Sequence, residues 1–205
     1  MSSIVYAALS KEKVTPEDFL LWVDEDDKAE LIDGEVFVMS PAAYRHQKLE
    51  MFLSAVLNLY VKQHRLGLVA DSQYMMRFGK NYFVPDIIFV QEAHRARCTP
   101  TYVDGPADLV MEILSPSTAE HDQDVKFKDY ARNGVSEYWI VNPVEESIAV
   151  FHLTADDEYE RVEVGADGAV RSVEVAGFYL RPEWVWTDDG EPDEFAALRA
   201  LGVMS

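Results

Sequence analysis

Two acidic residues stand inside segments that are otherwise apolar. Asp86 lies within YFVPDIIFV and Glu112 lies within DLVMEIL, and both runs are typical of strands buried on both faces. An ionised carboxylate that leaves water must be paired with a cation or must bind a metal. We therefore expect the two carboxylates to converge at one sheet edge on a hard divalent ion, Mg²⁺ or Mn²⁺. For either acid alone, an ion pair with a nearby arginine or lysine is the simpler interpretation.

Other polar residues could complete such a site. Asp122 and Lys126 stand at i and i+4 of a predicted helix, from which an ammonium could orient water and stabilise charge on a phosphate. Taken alone, this pair would more often be a solvated ion pair. His46 and Glu50 also share a helical face, where the histidine could line a pocket rim or simply pack in the core. Glu30, just before a predicted turn, is a candidate for the same cleft.

The elements that position these residues follow from the pattern of apolar residues. Residues 15–18 (TPED) are typical of a helix start, and Asp33-Gly34 suits the turn of a β-hairpin. An apolar period of 3.6 residues predicts a long helix over 42–65. Predicted strands occupy about 68–77, 82–90, 108–114 and 137–141, with a helix over 119–133 before the last of them. A strand, helix and strand in this order imply a parallel pair with a right-handed crossover.

Beyond Pro143 the pattern changes to short alternating strands separated by turn residues. Because these strands have no helix of their own to cover them, we expect them to extend the core sheet, with a short terminal helix over 192–201. The predicted fold class is α/β with a mixed sheet and an antiparallel C-terminal extension. We expect one domain over 1–205, with a core at about 15–153 and the extension at about 154–205.

Composition limits the classes of function. The 205 residues carry a net charge of −19, which opposes non-specific attraction to a polyanion. The charge is uneven: residues 145–205 hold 15 acidic and 4 basic side chains, whereas residues 40–100 hold 8 basic and 4 acidic ones, so a local basic face remains open. No apolar run approaches the roughly 20 residues that cross a bilayer, and we expect a cytoplasmic protein. The single cysteine, Cys98, excludes an internal disulfide and a thiolate zinc site.

Four segments follow one another along the chain: ELIDGE at 30–35, PDI at 85–87, EILSPST at 112–118 and GVSEYWIV at 134–141. In sequence and in order they resemble the Uma-two family of putative restriction endonucleases. The resemblance covers roughly residues 15–153 and is loose over 154–205. It implies the restriction-endonuclease-like fold of the PD-(D/E)XK nuclease superfamily, Mg²⁺-dependent phosphodiester hydrolysis and a nucleic-acid substrate, with DNA the expected class.

The resemblance also assigns residues. Asp86 matches the aspartate of the PD motif and Glu112 matches the (D/E) position, but Leu114 replaces the lysine two residues later. Lys126, on the helix after the SPST segment, could supply a migrated lysine.

The resulting hypothesis is a metal-dependent nuclease. The divalent ion would be bound by Asp86, Glu112 and the backbone carbonyl of Ile113, and Lys126 would position the attacking water. Asp122 would orient Lys126, and Glu30 or His46 would complete the site. A homodimer would suit cleavage of both strands of a duplex.

The alternative is a non-catalytic binding or assembly module that retains the nuclease fold. The net charge of −19 and Leu114 favour it.

Overall fold

The computed structural model describes residues 13–23, 28–39, 41–115 and 121–205, without the side chains of 121–123. The helices are α1 (Pro16–Trp22), α2 (Tyr44–His64), α3 (Phe127–Arg132), α4 (Pro182–Val185) and α5 (Glu194–Ala200), with a 3₁₀ helix at Glu92–Arg97 and a π-helix at His121–Lys126. The strands are β1 (Ala29–Ile32), β2 (Glu35–Val38), β3 (Gly67–Asp71), β4 (Met75–Phe78), β5 (Asn81–Phe83), β6 (Ile87–Gln91), β7 (Tyr102–Asp104), β8 (Leu109–Ile113), β9 (Glu137–Asn142), β10 (Ser147–Leu153), β11 (Tyr159–Arg161), β12 (Val170–Arg171) and β13 (Tyr179–Leu180).

The first two strands form the predicted β-hairpin. They pair antiparallel, and the turn residues Asp33 and Gly34 have φ angles of 52° and 79°. Both angles are in the left-handed region, which glycine and aspartate tolerate better than most residues. The prediction of a two-residue turn at Asp33-Gly34 is confirmed.

The larger strands are distributed over two sheets. One has six strands in the order β11-β10-β9-β8-β6-β3, and the other has five in the order β2-β1-β5-β4-β7. The predicted single strands at 68–77 and 82–90 are therefore wrong, because each is two strands that belong to different sheets. Pro85 stands at the second break, where a residue without an N–H cannot continue a central ladder. The chain thus leaves one sheet and enters the other directly at Asp86.

The predicted parallel pair is confirmed. Strands β8 and β9 run parallel, with Leu109 opposite Glu137 and Ile113 opposite Val141, and the helical segment between them makes the crossover. Of the predicted helix over 119–133, residues 119 and 120 lie outside the described residues. The described part begins as a π-helix and continues as α3. Local π-helical turns often mark functional sites.

The core lies on both faces of the six-stranded sheet. The helix α2 covers one face with its predicted apolar stripe, which includes Leu49, Leu53, Val56 and Leu57 and is buried as periodicity requires. On the other face, Tyr130 of α3 and Phe83 of the five-stranded sheet pack together with Tyr138 of β9. A site at the edge of this sheet can therefore draw on residues of both layers. None of the helices within the described ranges is long and apolar enough to cross a bilayer.

The C-terminal region extends the sheet only in part. Strands β10 and β11 join the six-stranded sheet as predicted, but β12 and β13 form a separate two-stranded sheet. Glu137 connects this region to the core, because its carboxylate accepts hydrogen bonds from the backbone N–H groups of Val173 at 2.5 Å and Glu174 at 2.8 Å. The indole N–H of Trp139 donates to the same carboxylate.

Replacing Glu137 by glutamine is expected to destabilise the fold by about 2 kcal/mol, the scale of hydrogen bonds to a charged group. The amide retains one acceptor oxygen but turns an NH₂ group toward N–H donors. Urea denaturation of the variant measures the loss. A Glu160→Gln variant, which changes an exposed acid on β11, is expected to stay within about 0.5 kcal/mol of wild type.

The same variant should change the dependence of stability on pH. Burial raises the pKa of Glu137 above its ordinary value of 4.5, although the Trp139 and backbone donors act in the opposite direction. A carboxyl with a higher pKa in the folded state holds its proton more tightly when folded, so its contribution to stability is lost as the pH rises through that pKa. The free energy of unfolding should therefore fall above pH 4.5 less steeply in Glu137→Gln than in wild type. Parallel curves for the two proteins would contradict this expectation.

Candidate functional site

Asp86 and Glu112 are brought together by the pairing of two central strands. Ile87 pairs with Met111 in the antiparallel β6–β8 ladder, so the next position along both strands sets Asp86 opposite Glu112. The Asp86 N–H faces Glu112 Oε2 at 3.4 Å, and the Ile113 N–H donates to Asp86 Oδ2 at 2.9 Å. Both side chains are buried. Two acids that are 26 positions apart in the chain are thus neighbours at one sheet edge.

The backbone of Ile113 belongs to the same edge. On an extended strand the N–H and C=O groups of one residue point to the same side. Since the Ile113 N–H points to Asp86, its carbonyl oxygen lies on that side of β8 as well.

Glu112 is held by the helical segment that follows its strand. Its Oε1 accepts hydrogen bonds from Lys126 Nζ at 3.0 Å and from the hydroxyl of Tyr130 at 2.9 Å. Burial raises the pKa of Tyr130 well above its ordinary value, and the negative charge of Glu112 adds to that effect. The phenol therefore remains a hydrogen-bond donor to the carboxylate.

Lys126 also reaches the five-stranded sheet. Its Nζ lies 3.0 Å from Glu30 Oε1, and its side chain is only 2% exposed. The same Glu30 oxygen accepts from the backbone N–H of Val84 at 2.9 Å. One buried ammonium therefore bridges two carboxylates from different sheets across the point where the chain passes between them.

His46 approaches Asp86 from the opposite layer, on the first turn of α2. Its Nε2 lies 3.1 Å from Asp86 Oδ2, and its Nδ1 lies 3.7 Å from Glu50 Oε2. That Nδ1 atom is buried and has no hydrogen-bond partner among the described residues. A buried ring nitrogen without a partner is uncommon in native proteins, and a bound water or ion is one of the features that can account for it.

Lys28 lies at the entrance of the site. Its Nζ donates to Asp86 Oδ1 at 2.8 Å, while the side chain remains 32% exposed. Burial lowers the pKa of Lys28, but the charges of Asp86, Glu112 and Glu50 outweigh burial and raise it. The ammonium therefore stays charged beside Asp86.

Asp86 remains ionised although it is buried. Burial by itself raises the pKa of this carboxyl, but the hydrogen bond with His46 and the positive charge of Lys28 hold it well below its ordinary value. For His46, burial lowers the pKa, and the hydrogen bond to Asp86 and the charges of Asp86 and Glu50 raise it by more. A carboxylate kept ionised inside a protein is the state that a metal requires of its ligand.

The residues present fit a divalent cation. One ligand atom each from His46, Glu50 and Asp86 lies within 4.8 Å of the other two, a spacing that one ion could span. The site holds the carboxylates of Glu30, Glu50, Asp86 and Glu112 against the ammonium groups of Lys28 and Lys126. Carboxylates outnumber ammonium groups among these described side chains, and an oxygen-rich, acidic set of this kind suits a hard divalent cation.

The structure brings five of the six predicted site residues into one connected set of contacts. They are Glu30, His46, Asp86, Glu112 and Lys126. The side chain of Asp122 lies outside the described residues, so its predicted role in orienting Lys126 stays a prediction, as do the catalytic roles of the other five. Neither Asp86 nor Glu112 is paired with an arginine in the described contacts; both are paired with lysine.

Three residues that contact the site were either not predicted to belong to it or were given no role there. Each stands two or four positions from a predicted site residue. Tyr130 follows Lys126 by four positions and Glu50 follows His46 by four, so each lies on the helical face of its predecessor. Lys28 precedes Glu30 by two positions and therefore shares its side of an extended segment. Applying the same periodicity to the neighbours of each candidate would have found Tyr130 and Lys28, whereas Glu50 was already placed on the helical face of His46 but was given no role.

Three of the eight basic residues over 40–100, the segment where a local basic face was left open, are paired with acidic side chains. Arg45 pairs with Glu146 at 2.7 Å, Lys48 with Glu191 at 2.6 Å, and Arg77 with Asp104 at 2.7 Å. Two of these acidic partners come from the acidic C-terminal region. The excess of basic residues over 40–100 therefore does not appear as free positive charge at these three positions.

The chain is similar to a protein family and to two relatives. The family described as "Uma2: Putative restriction endonuclease" matches residues 16–184. The protein slr1290 of Synechocystis sp., itself uncharacterised, is 28% identical over 151 residues, which are 72% of this chain and 78% of that protein. A second uncharacterised protein of Synechocystis sp., sll1609, is 28% identical over 105 residues, or 51% of this chain and 59% of its own length.

A solved structure has the same fold. It is the crystal structure of a putative nuclease belonging to DUF820 from Anabaena variabilis, which superimposes with a TM-score of 0.71 at 20% sequence identity. The match covers 90% of this chain and 99% of that one. The predicted restriction-endonuclease-like fold with a mixed sheet is confirmed.

Proposed function

The chain belongs to the Uma2 family of putative restriction endonucleases, and we propose that it is a metal-dependent nuclease that hydrolyses phosphodiester bonds in nucleic acid. The observation that carries the proposal is the buried network around Asp86 and Glu112. Its described carboxylates outnumber its described ammonium groups, and one ligand atom each from His46, Glu50 and Asp86 lies within 4.8 Å of the other two, a spacing that one divalent cation could span. The proposal takes DNA as the substrate class, a cytoplasmic protein and a homodimer for duplex cleavage.

The residues that would hold the ion come from three elements. Asp86 and Glu112 would contribute carboxylates from the ends of two adjacent strands, with the Ile113 carbonyl beside them. His46 and Glu50 would contribute an imidazole and a carboxylate from α2. Oxygen-rich sets of this kind suit Mg²⁺ and Mn²⁺, and the single imidazole makes Mn²⁺ the better probe. A bound divalent ion supplies Lewis acidity, which activates water and neutralises charge on a phosphate.

The other side chains would prepare the site for that chemistry. Tyr130 and Lys126 fix one oxygen of Glu112 by hydrogen bonds of 2.9 and 3.0 Å, which leaves its other oxygen directed to the Asp86 side. The Lys126 ammonium lies inside the cluster, where it would orient an attacking water and stabilise negative charge on the phosphate. Lys126 would thereby take the role of the motif lysine, whose position at the end of β8 is occupied here by Leu114.

The test is a cleavage assay combined with metal titration. Purified protein is incubated with plasmid DNA, single-stranded DNA and RNA in the presence of Mg²⁺, Mn²⁺ or EDTA. We expect cleavage with either ion and none with EDTA. The three substrates separate DNA from RNA and duplex from single strand.

Replacing Asp86 by asparagine is expected to weaken Mn²⁺ binding by more than about tenfold, because even the partners of metal ligands contribute on this scale. Isothermal titration calorimetry measures the affinity. An Asp104→Asn variant, which removes a carboxylate paired with Arg77 on the five-stranded sheet, is the matched control and should bind as wild type does. A protein that neither cleaves nor binds Mn²⁺ through Asp86 would be the binding or assembly module instead.

A further inference from the structure

Lys28 occupies a position that the proposed chemistry leaves unused. Its ammonium donates to Asp86 Oδ1 at 2.8 Å, and the charges of Glu112 and Glu50 also act on it. These three carboxylates are among those proposed to hold the ion. One cation of the protein itself therefore lies where the negative charge of the site is concentrated.

The two lysines of the site differ in how firmly they are held. Lys126 is 2% exposed and lies 3.0 Å from both Glu30 and Glu112, so it cannot turn away without breaking its contacts with two buried carboxylates. Lys28 is 32% exposed, and the carboxylate that it contacts at hydrogen-bond distance among the described residues is Asp86. A lysine has a flexible stem of four carbons, so Lys28 can move its ammonium into water without disturbing the core.

We propose that Lys28 is a tethered counter-ion, which neutralises Asp86 when no metal is bound and is displaced into solvent when a divalent cation binds. An ammonium and a divalent ion repel each other strongly when both contact one carboxylate. The two cations therefore compete, and Lys28 lowers the affinity of the site for metal while it stabilises the metal-free protein. This inference rests on the proposed metal centre.

The direct test is the affinity for Mn²⁺, measured by isothermal titration calorimetry. We expect Lys28→Met to bind Mn²⁺ roughly tenfold more tightly than wild type, within the usual range of coupling between two competing ligands. The matched control is Lys62→Met, which removes the same charge from the exposed end of α2. Lys62 follows His46 by 16 residues, about 24 Å along a helix, which is beyond the screening length of about 10 Å at 0.1 M salt. Its affinity should equal that of wild type.

Two further measurements separate the charge of Lys28 from its packing. Lys28→Arg keeps the positive charge and should bind Mn²⁺ with nearly wild-type affinity. In EDTA, Lys28→Met should melt at a lower temperature than wild type, and saturating Mn²⁺ should raise its melting temperature by more than it raises that of wild type. The melting curves can still be compared even if the metal-free Lys28→Met protein is only partly folded.

The outcomes distinguish this inference from the proposal on which it rests. Equal or weaker Mn²⁺ binding by Lys28→Met would overturn the counter-ion role and leave the metal centre intact. A gain in affinity in Lys28→Arg as large as in Lys28→Met would also overturn it, because charge would not be the cause. Absence of Mn²⁺ binding in wild type and in every variant would overturn both.

Discussion

A Glu112→Gln variant is expected to lose nucleic-acid cleavage by about 100-fold or more, the scale for removing a group that stabilises charge in a transition state. Glutamine has nearly the same shape, but its neutral amide is a much weaker metal ligand. The substitution also removes one of the negative charges that hold the Lys126 ammonium and the divalent ion in the site. Initial rates on the preferred substrate, measured at saturating Mg²⁺ or Mn²⁺, give the comparison.

The matched control is the same substitution at the other buried glutamate of the six-stranded sheet. Glu137 lies opposite Leu109, three residues before Glu112 along β8, or about 10 Å away. Glu137→Gln should be less stable but should retain the wild-type cleavage rate at a temperature where it is folded. Equal loss in both variants would attribute the effect to stability, and full activity in folded Glu112→Gln would remove Glu112 from the mechanism.

The principal acids of the site could be predicted because each breaks a strong local pattern. A carboxylate inside a buried apolar run has few interpretations, and Asp86 and Glu112 both stand in such runs. The partners of these acids depend on which layers pack together. Glu30 and His46 meet the pair from a different sheet and from the helix on the opposite face, and their place was therefore only suggested by the resemblance and by helical spacing.

The division into two sheets could not be predicted from local signals. The run from Tyr82 to Val90 is apolar throughout except at Asp86, and nothing in its periodicity shows that its halves pair with different strands. Pro85 indicates a break but not the partner of each half, since strand pairing is decided by contacts distant in sequence. The same limit explains why β12 and β13 were assigned to the core sheet.

A Lys126→Met variant is expected to be less stable than wild type by about 3–5 kcal/mol in EDTA, because breaking a buried ion pair leaves an uncompensated buried charge. Methionine fills a similar volume, so the loss measures charge rather than a cavity. Here two carboxylates, those of Glu30 and Glu112, lose the ammonium that lies 3.0 Å from each. Urea denaturation followed by circular dichroism measures the free energy of unfolding.

Two comparisons establish that the burial of the ammonium is the cause. Lys128, two residues further along the same helical segment, pairs with Asp124 at the exposed surface, and Lys128→Met should change stability by less than about 1 kcal/mol. A triple variant carrying Glu30→Gln, Glu112→Gln and Lys126→Met should recover much of the loss, because neutral side chains of similar shape often replace a buried ionic group with little effect. If Lys126→Met were no less stable than Lys128→Met, the buried ammonium would not be what holds the two sheets together at this site. Recovery in the triple variant would separate the role of Lys126 in stability from its role in cleavage, since that protein would be folded yet unable to bind the ion or cleave nucleic acid.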